Sequence, residues 1–175
     1  LHIFGKQEGI MQEILKNETE EKVYSTLDKL NIKYDRVDHK PVFTAEEAKS
    51  CVTGLIKGVR CKNLFLQDTK KNYYLYFITD TKKADLKLLR DQINSTRLSF
   101  ASEEKLYEML KLTKGSVTPL GVVNDESNKV IVLLDKDNKD TNVLLHPQFN
   151  TTTLSIKYSD LIRFIEYCGN KYKEV

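Results

Sequence analysis

The chain predicts an α+β fold, with helices around a curved and largely antiparallel sheet. Three observations predict it. Apolar residues recur at three- and four-residue steps in several separate stretches, among them Ile10, Ile14, Leu15, Val23, Leu27 and Leu30. Short β-branched and aromatic runs stand between those stretches, Tyr73–Thr79 being the clearest. The apolar runs 59–67 and 73–79 are separated only by the turn residues Asp68-Thr69-Lys70-Lys71-Asn72, which makes that pair a hairpin.

The elements follow in order. Residues 10–30 read as a helix that Asn31 ends. Ile32 to Val37 alternates apolar and polar and reads as a strand with one wet face. Asp38-His39-Lys40-Pro41 is a loop, and Thr44 is a good N-cap for a short helix to about Cys51, with Glu46 and Glu47 in its first turn. After Gly54 and Gly58 come the two hairpin strands. Asp85 to Ile93 has helical spacing, Leu98 to Ala101 reads as a short strand, and Ser102-Glu103-Glu104 opens a helix ending near Leu112. A loop from Gly115 to Asp125 precedes the apolar strand Val130 to Leu134. A polar loop from His146 then leads to a short strand, Leu154 to Ile156, and to a last helix capped by Ser159 and running through Cys168.

Composition narrows the function classes. A chain of 175 residues, 40% apolar, supports one buried core, or one domain with an appendage. Residues 1–20 read as an N-terminal extension, part of it extraneous to the domain, and 21–175 as the domain itself. No apolar run approaches the roughly 18–20 residues of a membrane span, and the first residues lack the pattern of a secretory signal. A net charge of +3, with acids interspersed, does not support a protein that coats duplex DNA. The denser cluster Lys57, Arg60 and Lys62, with Lys70 and Lys71 across the next turn, suits a phosphate or two. Cys51, Cys61 and Cys168 have no CxxC spacing, which argues for a reducing, cytoplasmic setting and small packed thiols. His2, His39 and His146 lie far apart with no cysteine at ligand spacing, so neither zinc nor any other metal is expected, and no cofactor is called for.

Two loops carry the candidate chemistry. In Gly115-Ser116-Val117-Thr118-Pro119 the glycine permits backbone geometry that other residues resist and the proline fixes φ, so the loop can hold its amides rigid toward a ligand. In His146-Pro147-Gln148-Phe149-Asn150-Thr151 the histidine is biased to extended backbone by the proline after it. Either loop reads equally well as an ordinary connection between elements.

Taken together, Pro41-Val42-Phe43-Thr44, Lys62-Asn63-Leu64-Phe65-Leu66, Ser102-Glu103-Glu104, Gly115-Ser116-Val117-Thr118-Pro119, Asn124-Asp125 and His146-Pro147 with Asn150-Thr151 resemble, in order and spacing, the YbaK/prolyl-tRNA synthetase-associated editing domain family. The resemblance spans about residues 20–170 and is strongest to the branch that clears alanine from mischarged proline tRNA. It implies an open, barrel-like sheet and a hydrolase for the ester between an amino acid and the terminal adenosine of tRNA. The implied partners are the tRNA 3′ end carrying alanine and a prolyl-tRNA synthetase, in cis or in trans; neither a membrane nor DNA is implied. The helical lead-in before residue 20 favours a domain of a larger synthetase.

The resemblance also implies roles. Lys62 matches a lysine that meets the terminal phosphate, Asn63 its polar neighbour at the pocket, and Phe43 and Thr44 the substrate-binding stretch before the short helix. Gly115, Ser116, Val117, Thr118 and Pro119 match the loop whose amides stabilise the oxyanion, and His146 the histidine opposite, which positions and discriminates the substrate. Phe43, Leu120 and Val122 are candidates for the apolar wall of a cavity that admits alanine and excludes proline. His39 reads as a loop residue. Where the family pattern has His-Pro-Pro, this chain has His39-Lys40-Pro41. A non-catalytic module that binds tRNA or tethers a synthetase is the alternative, and a general nucleic-acid binder is the least favoured reading.

Overall fold

A computed structural model describes residues 18–42 and 44–175, the side chains at 45, 48 and 51 excepted. The predicted helical residues 10–17, Phe43 and the Cys51 thiol lie outside these. Residues 18–29 are helical (α1) and bury Val23 and Leu27 completely. Asn31 ends this helix as predicted: its φ is 52°, and the Ile32 amide reaches back to the Leu27 carbonyl at 2.9 Å. That six-to-one bond with a left-handed residue inside it closes many helices.

The remaining elements are β1 (Asp35–Asp38), α2 (Ala45–Val52), β2 (Val59–Gln67), β3 (Tyr73–Thr79), α3 (Leu86–Ile93), β4 (Ser99–Phe100), α4 (Glu103–Leu110), β5 (Val130–Leu134), β6 (Asn142–Leu145), β7 (Thr152–Lys157), α5 (Tyr158–Cys168) and β8 (Tyr172–Glu174). The strands form one mixed sheet in the order β1-β7-β6-β2-β3-β5-β8, with β4 also on β2. β1–β7, β2–β3, β2–β4 and β6–β7 pair antiparallel, whereas β2–β6, β3–β5 and β5–β8 pair parallel. Tyr73 to Ile78 of β3 is buried without interruption, as expected of a strand covered on both faces. One face carries the main core, with Phe65, Phe77, Leu134, Leu154 and Phe164. The other carries Leu66, Tyr74, Tyr76, Ile78 and Leu133, closed by Leu89 of α3.

Four local differences from the sequence reading have physical causes. The first strand begins at Asp35 rather than Ile32, because Ile32 is used in closing α1 and the ladder to β7 starts at Asp35↔Ser155. Ser159 does not cap α5: β7 runs directly into the helix, Lys157 occupies the N-cap without a side-chain bond, and the Tyr158 amide is held by the Thr141 carbonyl at 3.0 Å. Residues Pro119–Asn124, read as loop, form a buried 3₁₀ turn capped by Thr118. β6 and β8, too short to stand out in sequence, exist because distant strands offer them partners.

The topology leaves one gap. Along one edge of β2 the parallel ladder with β6 ends at Arg60↔Leu144, and pairing on that edge resumes only at Leu66↔Phe100 with β4. Between them β6 continues into His146 while β2 continues into Cys61 and Asn63. Gly58, immediately before β2, lets the two chains approach: a Cβ there would meet Leu144 Cδ2 at 2.7 Å.

Candidate active site

A cavity of about 70 Å³ fills that gap, lined by Val52 from α2, Arg60, Cys61 and Asn63 from β2, Leu144, Leu145 and His146 from β6 and its exit, and Thr153 from β7. It is far smaller than the roughly 300–1,000 Å³ of an ordinary ligand pocket. Val52, Leu144 and Leu145 give it one aliphatic wall, and its polar groups converge from three strands, with the Arg60 guanidinium paired to Asp80 at 3.3 Å.

His146 is fixed through both its backbone and its ring. Its Nδ1 lies 2.9 Å from the Thr152 carbonyl. A carbonyl only accepts, so Nδ1 carries the proton and Nε2 is left as an acceptor. Burial, only partly offset by that bond, holds the imidazole below its ordinary pKa, and nearby His39 adds to the lowering. The neutral ring is therefore the resting form at neutral pH. The Thr118 hydroxyl donates to the His146 carbonyl at 2.6 Å, tying the two candidate loops together.

Asn63 supplies a second acceptor. Its Oδ1 is buried and has no hydrogen-bond partner. Leaving such an atom unpaired costs about 1–3 kcal/mol, so an unpaired acceptor in a cavity wall calls for a ligand that donates. Gln148, two residues past His146, is also fully buried with neither side-chain polar atom paired. Cys61 is no nucleophile: burial, then the carboxylates of Asp135 and Asp80, pushes its thiol up to about 12.

His39 is more than a loop residue. Its ring lies 6.3 Å from that of His146, and its Nε2 is 2.9 Å from the Thr153 hydroxyl of the cavity wall. The Asn150 amide donates to the Val42 carbonyl at 2.8 Å, and the His39 amide donates to the Thr151 carbonyl at 2.9 Å, so the His146 loop and the stretch before α2 form one unit.

The other predicted residues are distributed as follows. Lys62 follows Cys61 and precedes Asn63 on a regular strand, so it faces the opposite side of the sheet; its ammonium donates to the Lys82 carbonyl at 2.5 Å and does not line the cavity. Thr44 is exposed and uses its hydroxyl to cap α2 through the Glu47 amide at 3.1 Å. Gly115 adopts φ 87° with open space around it, so its backbone angle, not crowding, requires glycine. In its loop the Ser116 amide is taken by the Thr113 carbonyl at 3.1 Å and Pro119 has none, which leaves Gly115, Val117 and Thr118 as the amides to consider. Leu120 and Val122 belong to the main core and do not line the cavity, whose apolar wall is Val52, Leu144 and Leu145. Asn124 and Asp125 are structural: Asn124 donates to the Leu110 carbonyl, and Asp125 accepts from the Val130 amide and Asn170.

The sequence model of the aminoacyl-tRNA editing domain family matches residues 39–164, which include every residue of this cavity. The chain belongs to that family. Over 155 residues it is 42% identical to the prolyl-tRNA editing protein ProX of Acetoanaerobium sticklandii, covering 87% of this chain and 94% of that protein. It is 35% identical over 143 residues to prolyl-tRNA synthetase associated domain-containing protein 1 of Danio rerio, covering 80% and 77%. Among solved structures it is similar to a candidate trans-editing enzyme for prolyl tRNA synthetase, with a TM-score of 0.68 at 19% identity, over 89% of this chain and 95% of that one. It is also similar to the hypothetical protein APE2540, with a TM-score of 0.69 at 17% identity, over 88% and 98%. At these identities the two structures support the fold alone. The editing domain thus has its small cavity where β6 parts from β2.

Proposed function

We propose that this editing domain is a deacylase that hydrolyses alanyl-tRNA charged on proline tRNA, as proofreading for prolyl-tRNA synthesis. The observation that carries the reading is the presence of two neutral acceptors, His146 Nε2 and the orphaned Asn63 Oδ1, in a cavity of about 70 Å³ whose apolar wall is Val52, Leu144 and Leu145 and whose Arg60 guanidinium is paired to Asp80. An alanyl ester offers an α-ammonium to the acceptors and one methyl to the walls. A prolyl ring is bulkier and offers one fewer N–H.

Aminoacyl esters are already activated, so the protein's task is to orient the acyl group and stabilise the oxyanion. With the ammonium held by His146 and Asn63, water adds to the carbonyl carbon and the oxyanion is met by loop amides, of which Gly115, Val117 and Thr118 are the candidates. The intermediate collapses to free alanine and the ribose hydroxyl, which takes up a proton from water. No nucleophilic side chain is required, consistent with the protonated state of Cys61. Lys62 serves the terminal phosphate only if its ammonium exchanges the Lys82 carbonyl for that phosphate, an exchange of one acceptor for a charged and stronger one.

The 42% identity to a protein named for prolyl-tRNA editing supports the tRNA class. The size argument supports alanine, because a synthetase site sized for a larger substrate discriminates against a smaller one by only about 1–3 kcal/mol per methylene. The test is hydrolysis of alanyl- and prolyl-esters of the same proline tRNA by the purified protein. The reading predicts fast release of alanine and background release of proline. Retained tRNA binding without turnover would replace it with the tethering module.

A further inference from the structure

Neither Lys70 nor Lys71 is used by the cavity, and Lys71 lines a second feature. A groove of about 950 Å³ lies at the far end of β2, lined by Gln67, Lys71, Tyr73, Phe100, Lys105 and Lys129 together with Asn72 and Ser102. The lining has three ammonium groups and no carboxylate. Two acids stand behind the lining: Glu108 is paired to Lys105 at 2.9 Å, and buried Asp68 is taken up by the Asn72 side chain and the turn amides.

Two of the lysines stand on rigid turns. Lys71 has φ 64° in the β2–β3 turn, where buried Asp68 accepts the Lys70 and Asn72 amides and the Asn72 side chain, each at 2.9 Å. Lys129 follows Asn128, φ 52°, in a turn where buried Asp125 accepts the Val130 amide and Asn170, each at 2.8 Å. Between them Phe100 is 64% exposed on the two-residue strand β4, an unusual place for a phenyl ring. Tyr73 is fixed beneath by stacking on Phe65 at 5.8 Å. Preorganised lysines beside an exposed aromatic ring are what single-stranded nucleic acid uses, phosphates on the cations and a base on the ring.

We propose that this groove binds the RNA backbone of the acylated tRNA, upstream of the terminal adenosine that the cavity receives. The proposal rests on the deacylase reading. Gln67 lies four residues along β2 from Asn63, about 13 Å at the strand rise, so the groove is placed for nucleotides that precede the last one.

The experiment measures binding of uncharged proline tRNA across a salt series for the parent, Lys71→Gln/Lys129→Gln and Phe100→Ala, and hydrolysis of a short alanyl oligonucleotide ending in the same 3′ nucleotides. Both lysines are exposed and neither is in an ion pair among the described residues, so their substitution should leave the fold intact. Removing two phosphate contacts should reduce the slope of log affinity against log salt by about 1.5. Phe100→Ala should weaken tRNA binding by roughly fivefold or more, the lower end of one stacked base. All variants should hydrolyse the short substrate at the parent rate. Unchanged affinity and slope in the double lysine variant would overturn the groove while leaving the deacylase intact. A parent that binds tRNA through these lysines but hydrolyses nothing would overturn the deacylase and leave the groove. Preference for an acidic polypeptide over RNA at equal salt would also overturn it.

Discussion

Thr118→Val tests the tie between the two loops of the active site. The Thr118 side chain is fully buried, donates to the His146 carbonyl at 2.6 Å and accepts from the Leu120 amide at 3.3 Å. Valine keeps the shape and removes the hydroxyl, so no cavity opens. The His146 carbonyl loses its donor, which costs about 1–3 kcal/mol. The 3₁₀ turn loses its cap, worth about 1 kcal/mol. The sum, near 3 kcal/mol, lowers Tm by roughly 6–12 °C in a domain of this size. On the proposed mechanism, a shift of the Gly115 loop relative to His146 should lower turnover of alanyl-tRNA on the order of 10²-fold, the effect of a misplacement near 1 Å. Thermal unfolding and single-turnover deacylation on the same preparation read both quantities, and Thr118→Ser should restore both. A valine variant that melts and turns over like the parent would refute the tie.

Three further outcomes follow from the same geometry. Asn63→Leu removes an acceptor that has no partner in the free protein, so Tm should hold or rise while deacylation falls, a stability–function trade read by melting and kinetics together. His146 has a folded pKa below its unfolded value near 6.5, so between the two the unfolded chain binds more protons; stability is complete above about pH 6.5 and is lost as pH falls through the folded value, and activity should follow the same direction in a pH–rate profile. Lys82→Met frees the turn whose carbonyl holds Lys62, because the Lys82 ammonium is gripped by Asp135 at 2.8 Å and Asp137 at 2.6 Å; a looser carbonyl releases Lys62 more readily, so KM for tRNA should hold or fall, whereas Lys62→Ala should raise it and the double variant should behave as Lys62→Ala alone.

The legible parts of this fold are those whose signals are local. Tyr73–Thr79 and Val130–Leu134 stand out because their runs are apolar on both faces, and Thr44 and Ser102 as caps because a hydroxyl precedes acidic first turns. β6 and β8 were hidden because four or three residues become strands only when a remote strand pairs with them. His146 and Asn63, which line the cavity, were legible as motif residues, whereas the Gly115 loop adds nothing to the cavity wall and is tied to it through the Thr118 bond to the His146 carbonyl. Arg60 stood out only as part of a basic cluster, and Val52, Cys61, Leu144, Leu145 and Thr153 were not legible, since the cavity they share is a gap between strands that only the register defines. One signal was available and unused: on a strand, the side chains of adjacent Lys62 and Asn63 leave from opposite faces. His39 was missed because its partner, Thr153, is 114 residues away.

The central claim is that His146 Nε2 and Asn63 Oδ1 hold the α-ammonium of the acyl group. Comparing the single-turnover hydrolysis of alanyl-tRNA with that of lactyl-tRNA, each divided by its rate in buffer alone, tests it directly, because a hydroxyl replaces the ammonium at nearly the same size and leaves the ester and the methyl in place. Losing charge-assisted bonds of about 1.5–3 kcal/mol each should lower the enzymatic acceleration for the lactyl ester by at least tenfold. Equal rates for the two substrates would contradict the account.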